Sequence, residues 1–152
     1  MSEQTTTSNN TTKKILVVDD DEVILRTLSI TLSANGYCAF LASDGPEAVR
    51  VVNREKPDLI VLDISFPVDA ANVGGALQDG FFIIEWLRRM GEAENIPIVV
   101  ISADNSKKCK DRALASGAAG FFLKPINQIA LMDTIKKVLS GEIKVSVPPK
   151  KP

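Results

Sequence analysis

Apolar residues fall in short runs along this chain, and each run is followed by a stretch with a different period. "KILVVD" (14–19), "YCAFLA" (37–42), "PDLIVLDI" (57–64), "IPIVVIS" (96–102) and "AGFFLK" (119–124) have strand length and strand composition. After each of them the pattern turns helical. Ile24, Leu25, Leu28 and Leu32 predict a first helix, with Gly36 where a left-handed C-cap would end it. "SDGPEAVRVVNRE" opens with a Ser/Asp cap, carries Pro46 in its first turn and has Ala48, Val51 and Val52 on one face. "GFFIIEWLRRM" (80–90) predicts a third helix with Ile83, Trp86, Leu87 and Met90 in register. "NSKKCKDRALASG" predicts a more polar helix ending at Gly117, and "NQIALMDTIKKVLSG" a last one with Ile129, Met132, Ile135 and Leu139 on one face.

A strand followed by a helix thus occurs five times. Continuous apolar strands belong to sheets covered on both faces. Right-handed crossovers then give a parallel sheet with helices on either side. The predicted fold class is α/β, a doubly wound five-stranded parallel sheet with five helices. Such sheets bind ligands at the carboxyl ends of the strands, where the strand order reverses.

Composition narrows the chemistry. The 152 residues suit one domain and carry a net charge of −1, which offers no electrostatic case for nucleic acid or a membrane surface. No apolar run approaches the roughly 18–20 residues that span a bilayer, and "MSEQTTTSNNTT" is no secretory signal, so the expected location is the cytoplasm. Cys38 and Cys109 lie in no metal-type spacing and are expected to be free, partly buried thiols. There is no histidine, which excludes His-based triads and His-type acid–base catalysis. Chemistry here must rest on carboxylates, lysine and hydroxyls. Residues 1–12 lack apolar side chains after Met1 and are expected to be a mobile tail; 13–140 form the folded domain, and 141–152 an extended tail.

The strand ends carry that chemistry. The third strand ends at Asp63, the first in "VVDDD" (Asp19, Asp20, Asp21), the fourth at Ser102 and the fifth at Lys124. All of them fall at one edge of the sheet. Crowded carboxylates repel unless a cation neutralises them. Hard oxygen ligands without His or Cys favour Mg²⁺. Mg²⁺ beside a carboxylate and a lysine suits phosphoryl transfer, with an Asp oxygen attacking phosphorus in line.

With "VVDDD", "LIVLDISFP", "VVISA" and "FFLKP" in this order, the chain resembles the receiver domain of two-component response regulators over roughly residues 13–140. The resemblance implies a flavodoxin-like strand order 2-1-3-4-5. It implies Asp63 as phospho-acceptor and Asp19 and Asp20 as the acidic pair holding Mg²⁺, with Asp63 and the backbone carbonyl of Ser65. It implies Ser102 as the switch hydroxyl, Lys124 as partner of the phosphoryl group, Phe121 as the aromatic switch and a cis bond at Lys124–Pro125. The implied partners are a sensor histidine kinase or phosphotransfer protein, and a downstream protein meeting the helix 4–strand 5–helix 5 face, roughly residues 105–139. The implied role is a single-domain regulator that signals, catalysing only its own phosphorylation and dephosphorylation.

Other readings stay open on the sequence. Asp20 and Asp21 also suit helix capping, Asp63 and Ser102 also suit strand ends, Lys124 also suits a solvated surface, and Phe121 also suits simple packing. The chain also suits an interaction module with the fold but not the switch, or a receiver cut from a longer regulator. A small phosphohydrolase of the aspartyl-phosphate type would place a second Asp where Ser65 stands. After Pro67 the chain departs from the family pattern, with about nine extra residues before Gly80, either a tolerated loop or a cover for the site. Ser65 and Asp104, two positions past Asp63 and Ser102, are expected to influence water at the acyl phosphate and to give a moderately short-lived phosphoryl state.

Overall fold

Five strands pair in parallel in the order β2-β1-β3-β4-β5. They are β1 (Lys14–Val18), β2 (Cys38–Ala42), β3 (Leu59–Asp63), β4 (Ile98–Ser102) and β5 (Gly120–Leu123). Each is followed by a helix: α1 (Glu22–Ala34), α2 (Gly45–Glu55), α3 (Gly80–Arg89), α4 (Lys107–Ala115) and α5 (Gln128–Leu139). The structure, a computed structural model, describes residues 12–65, 80–89, 91 and 94–142. The expected tails fall almost wholly outside these residues, as do the insertion after Pro67 and Met90.

The inner strands β1, β3 and β4 bury both faces, and alternate side chains feed two cores. Leu16, Val18, Ile60, Leu62, Ile98 and Val100 pack with Ala48, Val51, Ile83, Ile84, Leu87 and Ala113 beneath α2, α3 and α4. Ile15, Val17, Leu59, Val61, Val99 and Ile101 pack with Leu25, Leu28, Leu32, Leu131, Ile135 and Val138 beneath α1 and α5. Central β3 and β4 are buried throughout, whereas edge strand β2 alternates less cleanly and leaves Cys38 exposed. The expectation of a partly buried thiol therefore holds for Cys109 and not for Cys38, which has no strand on its outer side.

Local chemistry sets the ends of the helices. Asp21, Asp44, Ser106 and Asn127 each accept a main-chain N–H from the first turn that follows, satisfying donors that a helix leaves unpaired. Gly36, at φ +89°, takes the left-handed conformation just past α1. Two expected core residues lie outside the core. At about 100° per residue, Trp86 sits well round from the centre of the Ile83–Ile84–Leu87 face and Ile129 opposite Leu131. Trp86 is 38% exposed and rests against Phe82, their ring centroids 5.7 Å apart, and Ile129 is 84% exposed. No described helix is long and apolar enough to cross a membrane.

Candidate functional site

Four of the five strands deliver a polar residue to the same edge. Asp19 follows β1, Asp63 ends β3, Ser102 ends β4 and Lys124 follows β5. The parallel register sets Val18 beside Leu62, Asp63 beside Ile101 and Ser102 beside Leu123, so these strand ends lie level. The strand order reverses between β1 and β3, where Asp19 and Asp63 meet. Asp19, Asp63 and Ser102, each 1% exposed, are the buried polar residues among those described.

Among the described residues, every buried side-chain oxygen but one is hydrogen-bonded. Asp63 Oδ1 accepts the Ser65 N–H at 2.8 Å, and Asp63 Oδ2 accepts from Lys124 Nζ at 2.8 Å. Asp19 Oδ1 accepts the Asp21 N–H at 2.9 Å. Asp19 Oδ2 has the Lys124 ammonium 3.3 Å away as an ion pair, yet it lies buried without a hydrogen bond. Asp21 is turned away to cap α1, accepting the Val23 N–H at 2.8 Å. Lys124 precedes Pro125 through a cis peptide bond, as the resemblance implied.

Electrostatically the cluster is short of positive charge. Burial pushes the Asp19 carboxyl up to about 6; the Asp21 N–H opposes this, the charge of Asp63 adds to it, and Lys124 reduces it. Burial would depress the Lys124 ammonium, but the hydrogen bond and charge of Asp63, with Asp19 behind them, outweigh it and hold its pKa above the usual value. One carboxylate oxygen each of Asp19, Asp20 and Asp63 lies within 4.8 Å of the other two. An orphaned carboxylate oxygen, an all-oxygen donor set and the exposed side chain of Asp20 fit Mg²⁺, which takes few carboxylates and keeps several waters.

The remaining expected residues are placed differently. Phe121 is half-buried on β5 and packs against the core beneath α2, α3 and α4. The Asp104 carboxylate is exposed and accepts the Ser106 N–H at 2.8 Å, which holds its pKa below the usual range. Ser102 Oγ accepts the Asp104 N–H at 2.9 Å and lies 3.7 Å from Cys109 Sγ. Sequence reading missed two contacts, Cys109 beside Ser102 and the Ser65 hydroxyl accepting the Ala103 N–H at 2.9 Å. No local motif announces either, because each joins residues on different elements.

The chain is similar to known proteins. The family model of the response regulator receiver domain matches residues 15–136. PleD, a response regulator of Caulobacter vibrioides, is 34% identical over 114 residues, which are 75% of this chain and 23% of PleD. PilH of Pseudomonas aeruginosa is 27% identical over 75% of this chain and 87% of its own length. The solved structure of the chemotaxis response regulator CheY4 of Vibrio cholerae superposes with a TM-score of 0.72 at 30% identity, covering 84% of this chain and 99% of that one. The chain spans less than half the length of the first curated relatives it matches, between 23% and 46%. On the family match, the strand order and the acidic edge together, the chain belongs to the response regulator receiver domain family, the phosphoryl-accepting domain of two-component signalling.

Proposed function

We propose that Asp63 accepts a phosphoryl group from the phospho-histidine of a sensor histidine kinase or a phosphotransfer protein. The contact that carries this reading is the Lys124 ammonium on Asp63 Oδ2 at 2.8 Å, with the Asp19 and Asp20 carboxylates alongside. Asp19, Asp20, Asp63 and the backbone carbonyl of Ser65 would hold Mg²⁺. Bound there, the ion supplies positive charge to the transferring phosphoryl oxygens.

The chain's own groups do the rest. The Ser65 N–H fixes one oxygen of Asp63 and Lys124 the other, so the carboxylate is held in a single orientation. Lys124 also remains to pair with phosphoryl oxygens that arrive. No proton needs to be moved in the attack, which suits a chain without histidine. Receiver domains act as signalling domains, and the output here is a population shift in which Ser102 moves toward the new anion and the α4–β5–α5 face changes. Phe121 serves as the aromatic switch on that face. The domain works in the cytoplasm and contacts proteins rather than nucleic acid.

Incubation with a radiolabelled histidine phosphotransfer domain tests the reading. Label moves to the wild type and not to Asp63→Asn. Transfer to both, or to neither while a known receiver is labelled, contradicts it.

A further inference from the structure

The backbone ladder between β3 and β4 ends in an unusual way. Ile64 N–H donates to the Ile101 carbonyl at 2.9 Å, the last regular rung. Parallel alternation would next join the Ala103 N–H to the Ile64 carbonyl. That carbonyl instead takes the Gly80 N–H at 3.4 Å, and the Ala103 N–H goes to Ser65 Oγ at 2.9 Å. A rotatable hydroxyl has replaced a fixed backbone acceptor.

We propose that the Ser65 hydroxyl is a positioning residue that holds the loop after β4 in its resting place and so sets how readily the site accepts an anion on Asp63. The inference rests on the reading of Asp63 as acceptor. Ser65 grips both sides of the site: its N–H holds Asp63 Oδ1 at 2.8 Å, and its Oγ holds Ala103, the neighbour of Ser102. Ser102 is tied in turn to the approach to α4, through the Asp104 N–H at 2.9 Å and the Cys109 thiol at 3.7 Å. If Ser102 moves toward an anion on Asp63 through its backbone, Ala103 moves with it and its bond to Ser65 Oγ is disturbed. Ala103 is exposed, so its freed N–H finds water or an anion. The hydroxyl therefore stabilises the resting arrangement selectively.

The test is a beryllofluoride titration in saturating Mg²⁺, followed by amide NMR, on isotope-labelled wild type, Ser65→Ala, Ser65→Thr and Asp63→Asn. In Ser65→Ala the Ala103 amide shifts and exchanges faster before any beryllofluoride is added. Its titration midpoint falls about fivefold, the factor that one ordinary net hydrogen bond contributes. Ser65→Thr, which keeps the hydroxyl, restores both signals to wild type. An unchanged midpoint in Ser65→Ala, or Ser65→Thr behaving like Ser65→Ala, overturns the proposal. In either case a wild type that responds beside a silent Asp63→Asn leaves the acceptor reading intact. A wild type that does not respond overturns both.

Discussion

The Lys124 ammonium donates a 2.8 Å hydrogen bond to Asp63 Oδ2 across 61 positions of sequence. That single cation lies against two buried carboxylates, since Asp19 Oδ2 is 3.3 Å from it. The site is built with an excess of negative charge, and the expected effects of pH and Mg²⁺ on it follow from that excess.

Asp19 carries most of the cost. It is 1% exposed, and its pKa rises from 3.8 to about 6. At about 1.4 kcal/mol per pKa unit, its charge costs the metal-free fold of order 2–3 kcal/mol at about pH 7.5. Asp19→Asn is therefore expected to raise the melting temperature in EDTA, and to lose most of the further rise that Mg²⁺ gives the wild type. Calorimetry with and without Mg²⁺ checks both; a variant less stable than wild type in EDTA contradicts the account.

The pH dependence has a definite sign. Between about pH 4 and pH 6 the folded state holds a proton on Asp19 that the unfolded chain releases, so the metal-free stability from this group falls as pH rises through that window. Mg²⁺ needs the charged carboxylate. At about pH 5 only about a tenth of Asp19 is charged, so the apparent Mg²⁺ affinity is expected to be about tenfold weaker than at about pH 7.5. A Mg²⁺ titration at the two pH values measures this, and equal dissociation constants would remove Asp19 from the ligand set.

The strands and the acidic edge were legible because each buried run stops at a polar residue, and a parallel sheet aligns those stops. Asp63, Asp19, Ser102 and Lys124 could all be named from that rule. The exposed sides of α3 and α5 were not legible. Apolar residues at Trp86 and Ile129 satisfy a helical spacing, but the centre of the buried face is set by which residues meet the sheet, Ile83 and Leu87 in one helix and Leu131 and Ile135 in the other. The Ser65–Ala103 contact was equally hidden, since it depends on how the β3–β4 ladder ends rather than on either local sequence.

Gly80 illustrates a position where sequence and packing agree. A methyl group there would overlap the Ile64 Cα and come 2.9 Å from the Ile64 Cβ. Ile64 adjoins Asp63, so the strain falls beside the site. Gly80→Ala is expected to cost about 1–3 kcal/mol in urea unfolding. An unchanged midpoint would show that the start of α3 shifts freely away from β3.

The central claim is that Asp63 is the nucleophile of a Mg²⁺-dependent phosphoryl transfer. Incubation with acetyl phosphate, followed by peptide mass mapping, tests it most directly. The account predicts one added phosphate on the peptide containing Asp63, formed with Mg²⁺, absent in EDTA and absent in Asp63→Asn. Phosphate on another residue, or equal incorporation in Asp63→Asn, would contradict it.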